Sequence, residues 1–339
     1  MATRNQGLMH ALLCLSGSHL MEHDPKAFRE RQAYHYKNAC QMLREEAPPN
    51  RRSPDQCPDW ASDPTVASTL VMCLDTICRG DTKGEYRAHL NATKELVLGK
   101  RSSNNAFNAF LFEFFTYHDT INVLTTLDRR PLQLMDGFQL PQFIVQPEAG
   151  SLLGVLDGLF GYISRITKLR DVIRLRKERN LEPVVDYQIV SEAAILDAGI
   201  RSWVSAQKED SPRYIASQLY RQCTWIYLYR SLHPSEPSEK VCAAVDEGLT
   251  FLRQLPPDAS TQSILLMPLF LLGCAAFLPE QRPEIRRAFG TLKRYSNLGN
   301  IEPAREVVEK VWQRMDAKDP SSWDWETIIK EMGYDFLVT

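Results

Sequence analysis

No C-x-x-C pair occurs in the 339 residues. The eight cysteines stand at positions 14, 40, 57, 73, 78, 223, 242 and 274, which excludes zinc-finger and zinc-cluster spacings. So few thiols in so long a chain suit a reducing compartment, cytosol or nucleus, better than a disulfide framework. There is no Walker loop, no G-x-G-x-x-G, no G-x-S-x-G and no D-D-x-x-D stretch. Phosphate cradles, dinucleotide sites, nucleophile elbows and magnesium-dependent diphosphate ionisation therefore have no visible seat. An excess of charge of one sign is missing too. The net charge is −2, so no global field draws the chain to nucleic acid or an acidic membrane. Met1–Gln6 leads into an amphipathic pattern, not the bounded apolar run of a signal peptide. No convincing stretch alternates with period two, which removes the usual signal for strands.

What the chain does have is helical periodicity. It is organised around 105–127, NAFNAFLFEFFTYHDTINVLTTL. Phe107, Leu111, Phe114, His118 and Ile121 recur at three- and four-residue steps and share one face. Phe110, Phe115 and Val123 widen that face until most of the circumference is apolar. Glu113, His118, Asp119 and Asn122 interrupt it too often for a membrane span. The spacing predicts the central helix of a large soluble helical domain.

Capping signals place the other helices. Leu8, Leu12, Leu15 and His19 form the first stripe. Asp24-Pro25 and Asp63-Pro64 each cap a following helix, and Ser211-Pro212 caps another. Pro48–Pro64 holds five prolines and is expected to be an exposed, mobile loop. Helices are expected at 151–179, softened by Gly154, Gly158 and Gly161, then at 187–207, 213–232, 238–255, 260–277, 283–296, 303–315 and 322–332. The fold class is all-α: about a dozen antiparallel-packed helices around a central aromatic helix, forming one domain over 1–339.

Several stretches in order are similar to a known family. LMHALLCLSGSHL followed by YHYKNACQMLREE resembles the opening of the fungal-specific transcription factor domain, the regulatory region of zinc binuclear cluster regulators. EYRAHLNATKELV resembles its His-Leu helix, and FEFFTYHDTINVLTTLDRRPL its central aromatic helix. GLFGYISRITKL resembles the next helix, and MPLFLLGCAAFLPEQRPEIRRAF the late Gly-Cys-Ala segment. EVVEKVWQRMD and SWDWETIIKEMGYDFLVT resemble the closing tryptophan helix and terminal stretch. The resemblance runs from about Leu8 to Thr339. The family's DNA-binding zinc cluster normally sits upstream, and no such cluster lies in this sequence.

The resemblance implies a ligand-responsive regulatory domain in the nucleus. It would bind an apolar small molecule or a protein partner, with a homodimer or the transcription machinery as candidate partners. No cofactor, no metal, no membrane and no direct nucleic-acid contact are expected. The missing zinc cluster also leaves open a cofactor-free isomerase or cyclase of fungal secondary metabolism, built on the same scaffold and cytoplasmic. A purely structural dimerisation domain is the third class.

Each candidate site residue also has a plainer role. Tyr117, His118 and Asp119 could serve as acid and base groups, or as a buried polar network that fixes helix packing. Phe114, Tyr117 and His118, with Trp225 from a neighbouring helix, offer rigid apolar faces with polar tips, the mixture that ligand pockets use. HLMEH at 19–23 matches the H-x-x-E-H of inverted zinc peptidases but lacks a third ligand. The plainer reading is one packed histidine and one at a helix end. The basic run Arg165–Arg179 could bind phosphate, although a solvated helix end is the simpler account. Trp225, Tyr227 and Tyr229 are expected in the core.

Overall fold

The computed structural model describes residues 2–21, 24–46, 63–99, 102–127, 150, 152–233 and 237–339. Among these, thirteen α-helices and two 3-10 turns make up the regular structure. The nearest thing to a sheet is one isolated parallel bridge, Lys83 with Asp335. The protein is all-α. No helix among the described residues is long and apolar enough to cross a membrane. The expected loop lies outside the described residues, apart from Asp63 and Pro64, which open a helix as their cap signal requires.

The described chain divides into two compact units. The first contains residues 1–112, 297–300 and 334–336. Its helices are α1 (Gln6–Met21), α2 (Pro25–Glu46), α3 (Asp63–Cys78), α4 (Tyr86–Gly99) and the opening of α5 (Asn105–Thr125). α1 packs on α2 and α3, and α3 on α4. The face α1 buries is not its leucine stripe. Gly7, Leu8, Ala11, Cys14, Gly17 and Ser18 turn inward, while Leu12, Leu13 and His19 are exposed. Small residues win because they let α2 approach closely: a Cβ on Gly17 would lie 3.1 Å from the Gln32 side chain. Ser18 then donates to buried Asp75 at 2.5 Å and accepts from Gln32 at 3.0 Å. Leaving those groups unpaired would cost more than exposing two leucines.

Late segments complete this unit. Gly80, in the turn after α3, has φ 73, and a Cβ there would stand 2.6 Å from the carbonyl carbon of Gly299. A Cβ on Gly299 would stand 2.5 Å from that of Arg79. The Gly299 amide donates to Cys78 O at 2.8 Å. Asp335 gathers the Thr82 carbonyl on its amide, and the Tyr86 hydroxyl and Arg87 guanidinium on its carboxylate.

The second unit contains 113–296, 301–333 and 337–339. It takes the rest of α5, then α6 (Leu159–Glu178), α7 (Tyr187–Ser202), α8 (Pro212–Leu232), α9 (Glu239–Gln254), α10 (Leu266–Gly273), α11 (Arg282–Ser296), α12 (Ile301–Asp316) and α13 (Trp325–Glu331). α8 is the hub, packing on α6, α7, α9 and α10. Ser211 accepts from the Tyr214 amide ahead of Pro212, as the capping signal predicts. Several expected helices are shorter than their patterns; α7 ends at Ser202, short of 207, where Trp203 turns extended. α6 starts only at Leu159, because Gly154 and Gly158 adopt φ 82 and 90, outside helical geometry. The 260–277 run splits into a 3-10 turn, Ser260–Ile264, and α10. Pro268 is the cause: deep in one continuous helix it would clash with the carbonyl four residues earlier, whereas in the first turn of α10 it is tolerated.

Candidate functional site

Residues 113–121 of α5 are all buried, as an apolar circumference demands. Phe110, one turn earlier, is an exception to the widened face: it is exposed and stacks on Phe107. Steps of three and four bring Phe114, Tyr117 and His118 together. The His118 ring stacks on Phe114 with centroids 3.9 Å apart and meets Tyr117 edge-on. His118 Nδ1 is 2.8 Å from the Phe114 carbonyl, which can only accept, so Nδ1 carries the proton. Nε2 is thereby left as an acceptor, 3.5 Å from the Thr339 hydroxyl. Tyr117 Oη lies 3.4 Å from Tyr220 Oη, and Tyr220 donates onward to the Ile264 carbonyl. Phe160 stacks against both tyrosines. Tyr117 also hydrogen-bonds Thr339, and burial raises its pKa.

Burial pulls the His118 pKa down to about 4, against the smaller raising effect of its bond to Phe114. The ring is therefore neutral at neutral pH. Nε2 could accept a proton, but the donor in reach is the Thr339 hydroxyl. Since the folded pKa lies below the unfolded value of 6.5, His118 stabilises the fold above pH 6.5 and loses that stabilisation as pH falls toward 4. The wild type should lose about 3 kcal/mol more unfolding free energy between pH 7 and pH 4 than His118→Leu does. Urea unfolding of both proteins across that range checks this. Parallel pH profiles would mean that His118 titrates normally.

The other candidates lie elsewhere. Asp119 is buried at the next position of α5. Glu113 accepts from the Leu152 amide at 2.5 Å and holds the segment after Gly150. Trp225 is not brought to this cluster. It is half-buried, donates to Asp197 Oδ1 at 2.7 Å and stacks on Tyr229. Tyr227 is buried beneath α6, 3.1 Å from the Thr167 hydroxyl. His19 is exposed, and Glu22 and His23 lie outside the described residues. Among the described residues no three His, Cys, Asp or Glu side chains stand close enough to hold a metal ion.

Four arginines of the basic run on α6 are held in ion pairs. Arg165 meets Glu192, Arg176 meets Asp186, and Arg174 meets Asp324 and Glu326. Arg170 is fully buried: Nε and Nη2 grip both oxygens of Glu326 at 2.8 and 2.6 Å. Its guanidinium lies 4.1 Å from the Trp325 ring centroid and 4.4 Å from that of Trp323. Sequence reasoning missed this cage. Its signal was the Trp-Asp-Trp-Glu run at 323–326 opposite arginines four apart on α6. Also missed was a cavity of about 170 Å³ between α9, α10 and α11, lined by several leucines.

The family model described as the fungal specific transcription factor domain matches residues 1–339. A curated relative, Transcription factor dibT of Pestalotiopsis microspora, is 29% identical over 123 residues, which is 36% of this chain and 19% of the relative. The match thus spans about a fifth of that relative's length. No solved structure matches. With the family model spanning its whole length, the chain belongs to the fungal-specific transcription factor domain family.

Proposed function

We propose that the chain is the regulatory domain of a fungal transcription regulator acting in the nucleus. The whole-length family match carries this reading, and the partial similarity to a transcription factor supports it. Such a domain works by shifting between two conformations that a ligand or partner binds unequally. The joint formed by Phe114, Tyr117 and His118 with Thr339 suits that task. Its polar tips hydrogen-bond within the joint, and disturbing it exposes groups that need partners.

The test is a fusion of this chain to a heterologous DNA-binding domain, read by a reporter gene in a fungal host. Reporter output should differ from that of the DNA-binding domain alone, and His118→Ala should change it at equal protein abundance. Output equal to the DNA-binding domain alone would overturn the regulatory reading. A fusion that regulates while His118→Ala is indistinguishable from wild type would remove the α5 joint from it.

A further inference from the structure

We propose that the cleft between α9, α10 and α11 binds a small carboxylic acid with an apolar body. Its floor is formed by Leu255, Leu265, Leu269 and Leu292, all buried. One wall is α11, where Glu284, Arg287, Ala288, Thr291 and Leu292 line the cleft at steps of three and four. The volume, about 170 Å³, is close to that of the leucine-lined cavities of about 150 Å³ that take up benzene. That admits one ring or a short aliphatic chain.

The charge at the mouth selects among such molecules. Arg253 and Glu284 neutralise each other across it, Nη2 to Oε2 at 2.6 Å. Arg287 is exposed on the same rim and has no hydrogen bond or ion pair among the described residues. Thr291, one turn on, accepts from Arg294 at 3.0 Å, which leaves its own hydroxyl proton for a ligand oxygen. A guanidinium fork above an apolar floor matches a carboxylate on a hydrophobic body, because the two donors engage both oxygens while the body leaves water. A free amine would meet Arg287 with like charge. The proposal stands apart from the transcriptional reading and can fail without it.

Titration calorimetry of the full chain with benzoate, beside the neutral analogue benzyl alcohol, tests it. Benzoate should bind saturably, one per chain, and benzyl alcohol at least about tenfold more weakly. Arg287→Gln, an exposed change that leaves the fold intact, should weaken benzoate about tenfold while leaving the alcohol unaffected. Ala288→Phe, which fills the cleft, should abolish both, with circular dichroism verifying that it is folded. Absence of saturable benzoate binding overturns the proposal. So does alcohol binding as tight as benzoate, or benzoate binding that Arg287→Gln leaves unchanged.

Discussion

Glu326→Gln should lower the unfolding free energy by about 3–5 kcal/mol, the cost of leaving a buried cation without its carboxylate. Arg170 and Glu326 are both fully buried, and Arg174 approaches the same carboxylate at 3.3 Å. Arg230 lies buried nearby; burial, and next the charge of Arg170, pull its pKa down to about 9. Positive charge therefore outnumbers negative in this part of the second unit. Glutamine preserves shape and one acceptor, so the loss reports on charge. Arg170→Met combined with Glu326→Leu should recover more than half of it, since well-packed apolar residues replace buried pairs at little cost and Arg230 loses a like charge. Urea unfolding measures both. A cost below about 1 kcal/mol for Glu326→Gln would show that the cage is far better solvated than its geometry implies.

Gly299→Ala should cost about 2–4 kcal/mol. Its Cβ would stand 2.5 Å from the Arg79 carbonyl carbon and 2.6 Å from the Gly80 nitrogen, and backbone cannot swing aside as a side chain can. Overpacking accounts for about 1–3 kcal/mol and weakening of the amide bond to Cys78 for about 1 more. Gly80→Ala adds a left-handed φ to a comparable clash and should be at least as severe. Gly333→Ala is the control: its φ is 68, but nothing lies within 4 Å of the added methyl, so only about 1–2 kcal/mol is at stake. Thermal unfolding of the three variants ranks them. Equal shifts for Gly299→Ala and Gly333→Ala would mean that the backbone around Gly299 relaxes to relieve the contact.

The helices were legible because their signals are local. Ser211-Pro212 and the 3.6-residue period around Phe114 act within a few residues, and both hold in the structure. Left-handed glycines at 154 and 158 and a split at Pro268 were harder, since apolar continuity argued for unbroken helices. The buried face of α1 was misread because Gly17 and Ser18 gain their value from Gln32 and Asp75, distant in sequence. The same limit applies to the candidate cluster. Phe114, Tyr117 and His118 could be grouped from spacing, but Thr339 lies 221 residues from His118. Trp225 was grouped with them on aromatic character alone. Five positions separate it from Tyr220, which turns it about 140° away around α8.

Asp335 has a consequence for how the protein is made. Arg87 reaches its partner 248 residues downstream. At about 5–20 residues per second, a ribosome needs roughly ten to fifty seconds to cover that distance. Until Asp335 emerges, the Thr82 carbonyl, the Tyr86 hydroxyl and the Arg87 guanidinium lack this partner. Vectorial synthesis therefore cannot finish the amino-terminal unit first. It is completed only once Asp335 has emerged to pair with Tyr86 and Arg87.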